Sequence, residues 1–280
     1  MDLFWAMLIT IPIAFLIAIQ VPSTLKYHIK YAVLHLLFLA LAAFSGPFCI
    51  FRPGSSKNII FPKFVLKLLS IEWWMGMKVV VKDWDRMKQC SLPCVIVSNH
   101  QTSIDAMIII KTAPVGAAPL AKQVLKYVPI FGQVCWLCGT IFINRKKGRS
   151  AIDTMRRVGK EMKKRMTSLW IFPEGTRIQS DSIAPFKKGA FHLAIQAQVP
   201  IVPVVISNYR NVIDRKNRLF SGGEIRVNCL EPISTLGMTN DDVTDVMDSC
   251  RDEMLKVYER DFEENKLLYA GLTPVSNKNE

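Results

Sequence analysis

The sequence predicts an α/β fold in which helices sandwich a mostly parallel sheet, with an N-terminal hydrophobic helical hairpin that anchors the protein to a membrane. Two observations lead to this prediction. From residue 77 onward, short apolar runs of strand length alternate with longer segments of helical periodicity, a pattern typical of βαβ units. In addition, the first 51 residues contain two apolar stretches that are each long enough to cross a bilayer.

Composition and charge limit the class of protein. Half of the 280 residues are hydrophobic, and the mean hydropathy of +0.21 is high for a soluble protein. The formal charge of +13 is unevenly spread, because 31 basic and 12 acidic residues precede residue 240, whereas 5 basic and 11 acidic residues follow from there. Such a basic surplus favours an anionic partner, which includes phosphate, acidic lipid headgroups and nucleic acid.

The cysteines indicate a reducing compartment. There are seven, an odd number, and they are scattered among apolar residues, so no disulfide framework is predicted. Cys135 and Cys138 have CxxC spacing, but no second pair and no neighbouring histidine accompanies them. We therefore expect these two side chains to pack in the core and predict no metal site. The chain has no Asn-x-Ser/Thr acceptor for glycosylation, which agrees with exposure to the cytosol.

The two N-terminal apolar stretches are Leu3–Val21 and Tyr31–Phe51, with a Gly46-Pro47 pair expected to break the second. Basic residues lie in the link at 26–30 and again after the second stretch. The positive-inside bias would place both basic clusters in the cytosol, which two simple crossings do not allow. A hairpin that dips into one leaflet satisfies both clusters and is preferred to a plain two-span anchor.

The remaining elements follow from length and periodicity. Phe61–Ile71 has the pattern of an amphipathic helix, and Trp73 and Trp74 beyond it suit a membrane interface or a core. A polar loop is expected at Asp83–Pro93. Short apolar runs predict strands at Met77–Val81, Cys94–Val97, Ala117–Ala121, Thr140–Ile143, Leu169–Phe172, Ile201–Ile206 and Glu224–Cys229. Longer segments predict helices at Ala106–Ile110, Lys122–Tyr127, Arg149–Met166, Lys187–Gln198 and Asn240–Asn265.

These elements divide the chain into three parts. Residues 1–58 are predicted to be membrane-anchoring helical segments, residues 59–239 an α/β domain, and residues 240–280 an acidic C-terminal helix and tail.

The segment from Ser98 to Asp105 joins a predicted strand to a predicted helix and places His100 on the turn. Thr102, with Asp105 three residues later, resembles a capping box, so the helix is expected to begin there. The positive end of a helix disfavours an imidazolium, which keeps His100 a neutral proton acceptor, and Asp105 is placed to orient the ring. A base held by a carboxylate activates a hydroxyl nucleophile. The alternative interpretation is a hydrogen-bonded histidine beside an ordinary capping aspartate.

Basic side chains at other strand ends are candidates for binding an anion. In the segment Phe-Pro-Glu-Gly-Thr-Arg, Gly175 permits a tight turn, Arg177 offers a planar fork for a phosphate, and Glu174 can position that arginine or the turn amides. Arg145 and Lys122 follow two further predicted strands. The alternatives are a structural turn closed by a Glu–Arg pair and a solvated lysine.

Together, in this order and spacing, these segments resemble the motifs of the glycerolipid acyltransferase family, and within it those of the 1-acylglycerol-3-phosphate acyltransferases of the endoplasmic reticulum. The matching segments are Asn99–Asp105, which contains the HX4D motif, Gly139–Arg145, Phe172–Arg177 and Val199–Val205. HX4D alone is weakly specific, but HX4D followed about 70 residues later by Glu-Gly-Thr-Arg is highly specific. The resemblance covers roughly residues 60 to 235.

The resemblance implies transfer of a fatty acyl group from acyl-CoA to the sn-2 hydroxyl of lysophosphatidic acid, giving phosphatidic acid and CoA. It implies catalysis by His100 and Asp105. The residues expected to bind substrate are Arg145, Glu174, Gly175, Thr176, Arg177 and Lys122. The alternative is an acyltransferase or transacylase acting on another lysophospholipid, and a different class is a non-enzymatic basic membrane module.

The resemblance also implies the setting of the reaction. Acyl-CoA is a co-substrate, and no metal or bound cofactor is implied. The expected partners are lysophosphatidic acid, acyl-CoA and an anionic membrane surface, with no nucleic acid. The expected location is the endoplasmic reticulum membrane, with the catalytic domain facing the cytosol.

Overall fold

Seven strands form one sheet in the computed structural model, which describes residues 24–90, 93–144 and 151–269. The strands of the described chain are β1 (Met77–Lys82), β2 (Val95–Ser98), β3 (Ala117–Lys122), β4 (Ile141–Ile143), β5 (Ser168–Ile171), β6 (Ile201–Ile206), β7 (Ile213–Asp214), β8 (Leu219–Phe220) and β9 (Gly223–Cys229). The α-helices are α1 (Thr24–Cys49), α2 (Ile60–Leu68), α3 (Ile71–Met75), α4 (Asp85–Gln89), α5 (Asp105–Thr112), α6 (Phe131–Leu137), α7 (Ala151–Arg165), α8 (Gly189–Ala197) and α9 (Val243–Tyr269). Short 3-10 helices lie at Ser56–Ile59, Gln123–Tyr127 and Asn240–Asp242.

The sheet has the order β1-β9-β6-β2-β5-β3-β4. All its pairings are parallel except that of β6 with β9. Central strand β2 pairs with β5 on one side and β6 on the other, so that Val95 lies opposite both Leu169 and Ile201. The carboxyl ends of these three strands therefore meet at one edge of the sheet. The predicted mostly parallel α/β sheet is confirmed, and a separate antiparallel pair, β7 with β8, was not predicted.

Helices cover both faces of the sheet and bury two hydrophobic cores. Within β2, Ile96 belongs to the core under α1, α2 and α5, whereas Val95 and Val97 belong to the core under α7, α8 and α9. Side chains alternate between the two faces of a strand, so a strand buried on both faces is apolar at every position. This arrangement accounts for the continuous apolar runs from which the strands were predicted.

The acidic helix α9 packs into the second of these cores. Its Cys250, Met254 and Tyr258 side chains are buried there beside α8 and β6. At the far end of the helix, the Arg226 guanidinium of β9 forms an ion pair with Glu264. The helix is therefore part of the sandwich.

Helix α1 differs from its predicted form. It covers Thr24–Cys49, so the basic residues at 26–30 lie within a helix and not in a link, and it continues through Gly46 and Pro47. Gly46 does not break the helix, because it lies where α6 packs closely: a Cβ on this residue would lie 3.1 Å from a methyl group of Val134. Pro47 falls in the last turn, where it lacks the N–H that would donate to the carbonyl oxygen four residues earlier, and the helix ends two residues later at Cys49. The other predicted apolar stretch, Leu3–Val21, lies outside the described residues, and so does the expected hairpin.

Three shorter segments also differ from prediction. The expected polar loop at Asp83–Pro93 contains α4, and Phe131–Leu137 forms the helix α6. Trp73 and Trp74 on α3 are 75% and 61% exposed, so the interpretation of these tryptophans as core residues was wrong. All seven cysteines are free thiols, as expected.

Candidate active site

The loop that carries His100 leaves the carboxyl end of β2 and is fastened to the end of β6. The Asn99 amide nitrogen donates to the carbonyl oxygen of Ile206 (2.9 Å), and its amide oxygen accepts from the Ile206 N–H (2.8 Å). The Gln101 amide donates to the carbonyl oxygen of Ser207 (2.9 Å). These side chains continue the hydrogen bonding between β2 and β6 beyond the strands. His100 is thereby held on a rigid turn at the edge of the sheet.

His100 and Asp105 form a hydrogen-bonded dyad. The imidazole Nδ1 lies 2.6 Å from Asp105 Oδ2, and the carboxylate is fully buried whereas the imidazole is 17% exposed. The same oxygen accepts from the backbone N–H groups of Gln101 (2.6 Å) and Thr102 (3.0 Å). Because Nδ1 donates to the carboxylate, Nε2 carries the lone pair of the ring and is the basic atom.

The start of helix α5 differs from the predicted capping box. The helix begins at Asp105, three residues after the expected N-cap, and the Thr102 hydroxyl accepts from the Ile104 N–H (3.1 Å). The Asp105 carboxylate instead bonds the amides of the turn that precedes the helix. Asp105 therefore fixes the turn and the imidazole at once.

Tyr209 also holds the dyad, and it was missed in the sequence. Its hydroxyl donates to Asp105 Oδ1 (2.5 Å) and accepts from the Thr102 hydroxyl (3.0 Å). Burial, together with the charge of Asp105, raises the pKa of Tyr209 well above its ordinary value, so this hydroxyl stays protonated and remains a donor. Tyr209 lies just beyond β6, which is the neighbour of β2 in the sheet. Only this strand order places Tyr209 near the His100 loop, and no residue pattern in the sequence indicates it.

Glu174 is the second buried carboxylate beside His100. Its Oε1 accepts from the backbone N–H of His100 (2.6 Å), and it does not line the cavity described below. Burial raises the pKa of Glu174 to about 7; the hydrogen bond from the His100 N–H opposes this shift and the charge of Asp105 adds to it. The structure thus places Glu174 under the backbone of the histidine.

The rest of the Phe172–Arg177 segment surrounds His100. The Phe172 ring stacks on the imidazole, with ring centroids 3.8 Å apart and planes 11° from parallel. The Ile178 N–H donates to the carbonyl oxygen of His100 (2.8 Å). Gly175 has a φ of 74°, which a residue with a side chain rarely adopts, so glycine is needed for this turn. The turn brings the Arg177 side chain to the Nε2 atom of His100.

Arg177 contacts the basic atom of the dyad. Its Nε donates to His100 Nε2 at 3.3 Å, and its side chain lines a cavity with Gly175, Thr176 and Lys122. Five of the predicted substrate-binding residues thus lie around His100, with Glu174 behind the cavity wall, whereas Arg145 is outside the described residues. Arg215 lines the same cavity and was missed in the sequence, because no recognised motif includes it.

The cavity has a polar end and an apolar body, with a volume of about 560 Å³. His100, Ser103, Lys122, Arg177 and Arg215 form the polar end. The apolar wall comes from α1, α2, α5 and α6 and includes Leu41, Ala42, Pro62, Ile109, Ile110, Phe131 and Val134. Among the described residues, no group of three or more potential metal ligands occurs. The cavity is suited to a ligand that has an anionic head and a long apolar chain.

Comparisons with known proteins identify the family of the chain. Residues 78–207 match the family model described as Acyltransferase. The 1-acyl-sn-glycerol-3-phosphate acyltransferase alpha of Homo sapiens is 40% identical over 233 residues, which are 83% of this chain and 81% of that protein. The beta enzyme of Homo sapiens is 34% identical over 275 residues, or 98% of this chain and 95% of that protein.

A solved structure has the same fold. The crystal structure of the 1-acyl-sn-glycerophosphate (LPA) acyltransferase PlsC from Thermotoga maritima superposes with a TM-score of 0.62, at 23% sequence identity, and covers 86% of this chain and 98% of that one. The family assignment itself follows from the identity to the two human enzymes over most of their length. The chain belongs to the 1-acyl-sn-glycerol-3-phosphate acyltransferase family.

Proposed function

We infer that the protein transfers a fatty acyl group to the sn-2 hydroxyl of lysophosphatidic acid and so produces phosphatidic acid. The observation that best supports this function is the Asp105–His100 dyad, whose basic Nε2 lies at the polar end of an amphipathic cavity and in contact with Arg177. We further propose that the acyl donor is acyl-CoA, that CoA is the second product, and that no bound cofactor takes part.

His100 Nε2 acts as the general base. It accepts the proton of the sn-2 hydroxyl while that oxygen attacks the thioester carbonyl, and Asp105 stabilises the imidazolium that forms. The imidazolium then gives this proton to the departing CoA sulfur. The lipid oxygen forms the new ester bond directly as the carbon–sulfur bond breaks, so no covalent enzyme intermediate is required.

Arg177 places the acceptor for this step. It is an exposed guanidinium within hydrogen-bonding distance of the base, and its planar fork suits a phosphate. In lysophosphatidic acid the sn-2 hydroxyl is on the carbon next to the one that bears the phosphate ester. A phosphate held by Arg177, with Lys122 from the same cavity, therefore brings the hydroxyl to Nε2 in place of the guanidinium.

Backbone amides of the turn that carries Arg177 are proposed to stabilise the thioester oxyanion. The amides of Gln101 and Thr102 bond Asp105, and the amide of Gly175 bonds the carbonyl oxygen of Phe172. In the described part of the chain, no hydrogen bond is recorded for the amides of Thr176 and Arg177, which border the cavity. Two amides that are free to donate are the usual composition of an oxyanion hole.

Exposed apolar side chains suggest how the enzyme meets its lipid. Helix α1 is long and apolar enough to cross a membrane, by length and composition alone. Large apolar side chains are exposed along α1, α2 and α3 and in the segment that follows α1: Leu36, Phe44, Phe48, Phe51, Ile60, Phe64, Leu68, Trp73 and Trp74. An apolar surface of this extent on a basic protein is suited to the interface of an anionic membrane. We propose that this surface is immersed in the bilayer, with the cavity opening beside it.

The free thiols and the absence of glycosylation acceptors support a catalytic face in the cytosol. We propose the endoplasmic reticulum as the membrane, as the family resemblance implies.

Thiol release from acyl-CoA tests this function. Purified wild-type protein in mixed micelles is expected to release CoA thiol when lysophosphatidic acid is present, and His100→Ala is expected to lower the rate by at least about a hundredfold, because a positioned base contributes that much. His28→Ala, which removes an exposed histidine of α1 outside the cavity, is the matched control and should retain full activity. A His100→Ala rate within a few-fold of wild type would contradict the role of the base.

The acceptor is tested by competition at fixed acyl-CoA. Lysophosphatidic acid should outcompete lysophospholipids with larger headgroups, because its bare phosphate carries more negative charge for Arg177 and Lys122, which both line the cavity. Equal use of a choline-bearing lysolipid would favour the alternative acceptor.

A further inference from the structure

A short hairpin that follows the family motifs in the sequence contains three basic residues, one of which lines the cavity. Strands β7 and β8 pair antiparallel, and the turn between them contains Arg215, Lys216 and Arg218. The buried Asp214 carboxylate fixes this turn, because its Oδ1 accepts from the backbone N–H groups of Lys216 (2.8 Å) and Asn217 (3.0 Å). These hydrogen bonds hold the turn in a defined conformation. The hairpin lies outside residues 78–207, which the family model matches.

The hairpin is fastened to the loop that carries Arg177. The side chain of Gln179 donates to the carbonyl oxygen of Ile213 (2.7 Å) and accepts from the backbone N–H of Arg215 (3.2 Å). On the opposite side, the Lys30 ammonium of α1 lies 5.3 Å from the centroid of the Phe220 ring. The hairpin is held between the active-site loop and α1, so the position of Arg215 relative to Arg177 is set by the fold.

Arg215 and Lys216 differ in what they face. The Arg215 side chain lines the cavity that contains His100 and Arg177, whereas Lys216 does not line it, although both residues are exposed. Among the residues that the structure describes, the Arg215 guanidinium has neither a hydrogen-bond partner nor a carboxylate within ion-pair distance. A guanidinium on a residue that lines a cavity, with no carboxylate within ion-pair distance, is available for an anion of the ligand.

We propose that Arg215 binds a phosphoryl group of a substrate, as a second cationic contact next to Arg177. This inference rests on the proposed function, because the reaction then has two phosphorylated substrates and Arg177 can serve only one phosphate at a time. The shared chemistry is a phosphate ester, and its source is either the headgroup of the lysolipid or the phosphates of CoA. Arg215 is a binding residue in this account and takes no part in proton transfer.

Equilibrium binding of CoA and of lysophosphatidic acid tests the proposal in micelles of a neutral detergent, where surface charge has little influence. Arg215→Gln is expected to weaken the binding of one of the two ligands about tenfold, as loss of a hydrogen bond to a charged group does. Lys216→Gln removes the same charge one residue away and is expected to leave both dissociation constants unchanged. Arg215→Lys, which keeps the charge, should recover part of the loss.

The ligand that is weakened identifies the source of the phosphate. Loss confined to lysophosphatidic acid assigns Arg215 to the headgroup, and loss confined to CoA assigns it to the CoA phosphates. Unchanged binding of both ligands by Arg215→Gln would overturn the proposal, as would an equal loss in Lys216→Gln, which would show an effect of net charge alone. Because binding is measured without turnover, an inactive wild-type protein would contradict the proposed function separately.

Discussion

Asp105 and Glu174 are two buried carboxylates on either side of the same histidine, and they hold different parts of it. Asp105 bonds the imidazole and receives four hydrogen bonds, from the ring, from two backbone amides and from Tyr209. Glu174 bonds the backbone N–H of His100 and has a pKa raised to about 7 by burial. Asp105 thus fixes the ring and its tautomer, whereas Glu174 fixes the main chain from which the ring projects.

Asp105 and Glu174 are both buried and yet act differently, so burial alone does not determine the role of a carboxylate. A buried carboxylate that receives many hydrogen bonds is held in one position, and an aspartate held opposite Nδ1 fixes the tautomer whose Nε2 accepts a proton and stabilises the imidazolium that then forms. A buried carboxylate with fewer donors gains a proton more easily and can still accept the backbone hydrogen bond when neutral. The charge of Asp105 should therefore matter for turnover, whereas that of Glu174 should matter chiefly for stability.

Removing the charge of Asp105 is expected to have the largest effect on turnover. Asp105→Asn keeps the size of the side chain and an oxygen for the turn amides, but it no longer stabilises the imidazolium. We expect kcat to fall by about three to four orders of magnitude, the size of the effect when the aspartate of an analogous dyad is replaced. Thiol release under saturating acyl-CoA measures this loss, and circular dichroism checks that the fold persists.

Asp241→Asn provides a matched control, because Asp241 is an exposed aspartate that lies just before α9 and far from Asp105 in the sequence. It should keep wild-type turnover. A value of kcat for Asp105→Asn within tenfold of wild type would mean that the two carboxylates are equivalent in function.

Sequence patterns were sufficient to predict the sheet, the dyad and the turn at Gly175, because these depend on local features. Strand-length apolar runs identify β2, β5 and β6, and the parallel sheet then brings their carboxyl ends together. That is why residues 74 positions apart, His100 and Glu174, could be assigned to one site before their contact was seen. The contact is a hydrogen bond from the backbone N–H of His100 to Glu174, and the residue types in the sequence do not indicate such a bond.

Features that depend on tertiary packing were not predicted. Tyr209 and Arg215 belong to no motif, and their positions follow only from the adjacency of β6 to β2 and from the hairpin β7–β8. The continuation of α1 through Gly46 and Pro47 depends on close packing against α6, which overrides the local preference for a break. The conformations of these elements depend more on tertiary contacts than on the intrinsic propensities of their residues.

Tyr209→Phe tests whether the hydrogen bonds on Asp105 set it apart from Glu174. The change removes the donor to Oδ1 with little change in volume, so the carboxylate loses one of its four hydrogen bonds and holds the imidazole less firmly. Loss of a hydrogen bond to a charged group predicts a fall of about tenfold in kcat. KM for both substrates should be unchanged, since Tyr209 is buried and does not line the cavity.

Tyr258→Phe is the matched control, because Tyr258 is equally buried and its hydroxyl donates to the carbonyl oxygen of Ser180 (2.8 Å). Tyr258→Phe loses this one hydrogen bond, whereas Tyr209→Phe loses its hydrogen bonds with both Asp105 and Thr102, so both variants should lose stability. Only Tyr209→Phe should lower kcat, and equal kcat values in the two variants would reduce Tyr209 to a packing role.

Glu174→Gln has the smallest expected effect on turnover and the clearest dependence on pH. The glutamine oxygen can still accept from the His100 N–H, so kcat should change by only a few-fold at neutral pH. In the wild-type protein the pKa of Glu174 is about 7 in the folded state, above the ordinary 4.5 of a glutamate, so protonation stabilises the folded protein. This stabilisation is complete below about pH 4.5 and is lost as the pH rises through 7.

The melting temperature of wild-type protein in detergent should therefore fall between pH 5 and pH 8 more steeply than that of Glu174→Gln, which has no such proton to lose. The difference at pH 8 corresponds to a free energy of unfolding on the order of 2–3 kcal/mol in favour of the variant, and to almost nothing at the acidic end. Glu253→Gln, which removes an exposed carboxylate paired with Lys256 on α9, should leave the slope of wild type unchanged. Parallel curves for wild type and Glu174→Gln would show that Glu174 is ionised in the folded protein throughout this range, and the two carboxylates would then differ only in the atoms of His100 that they bind.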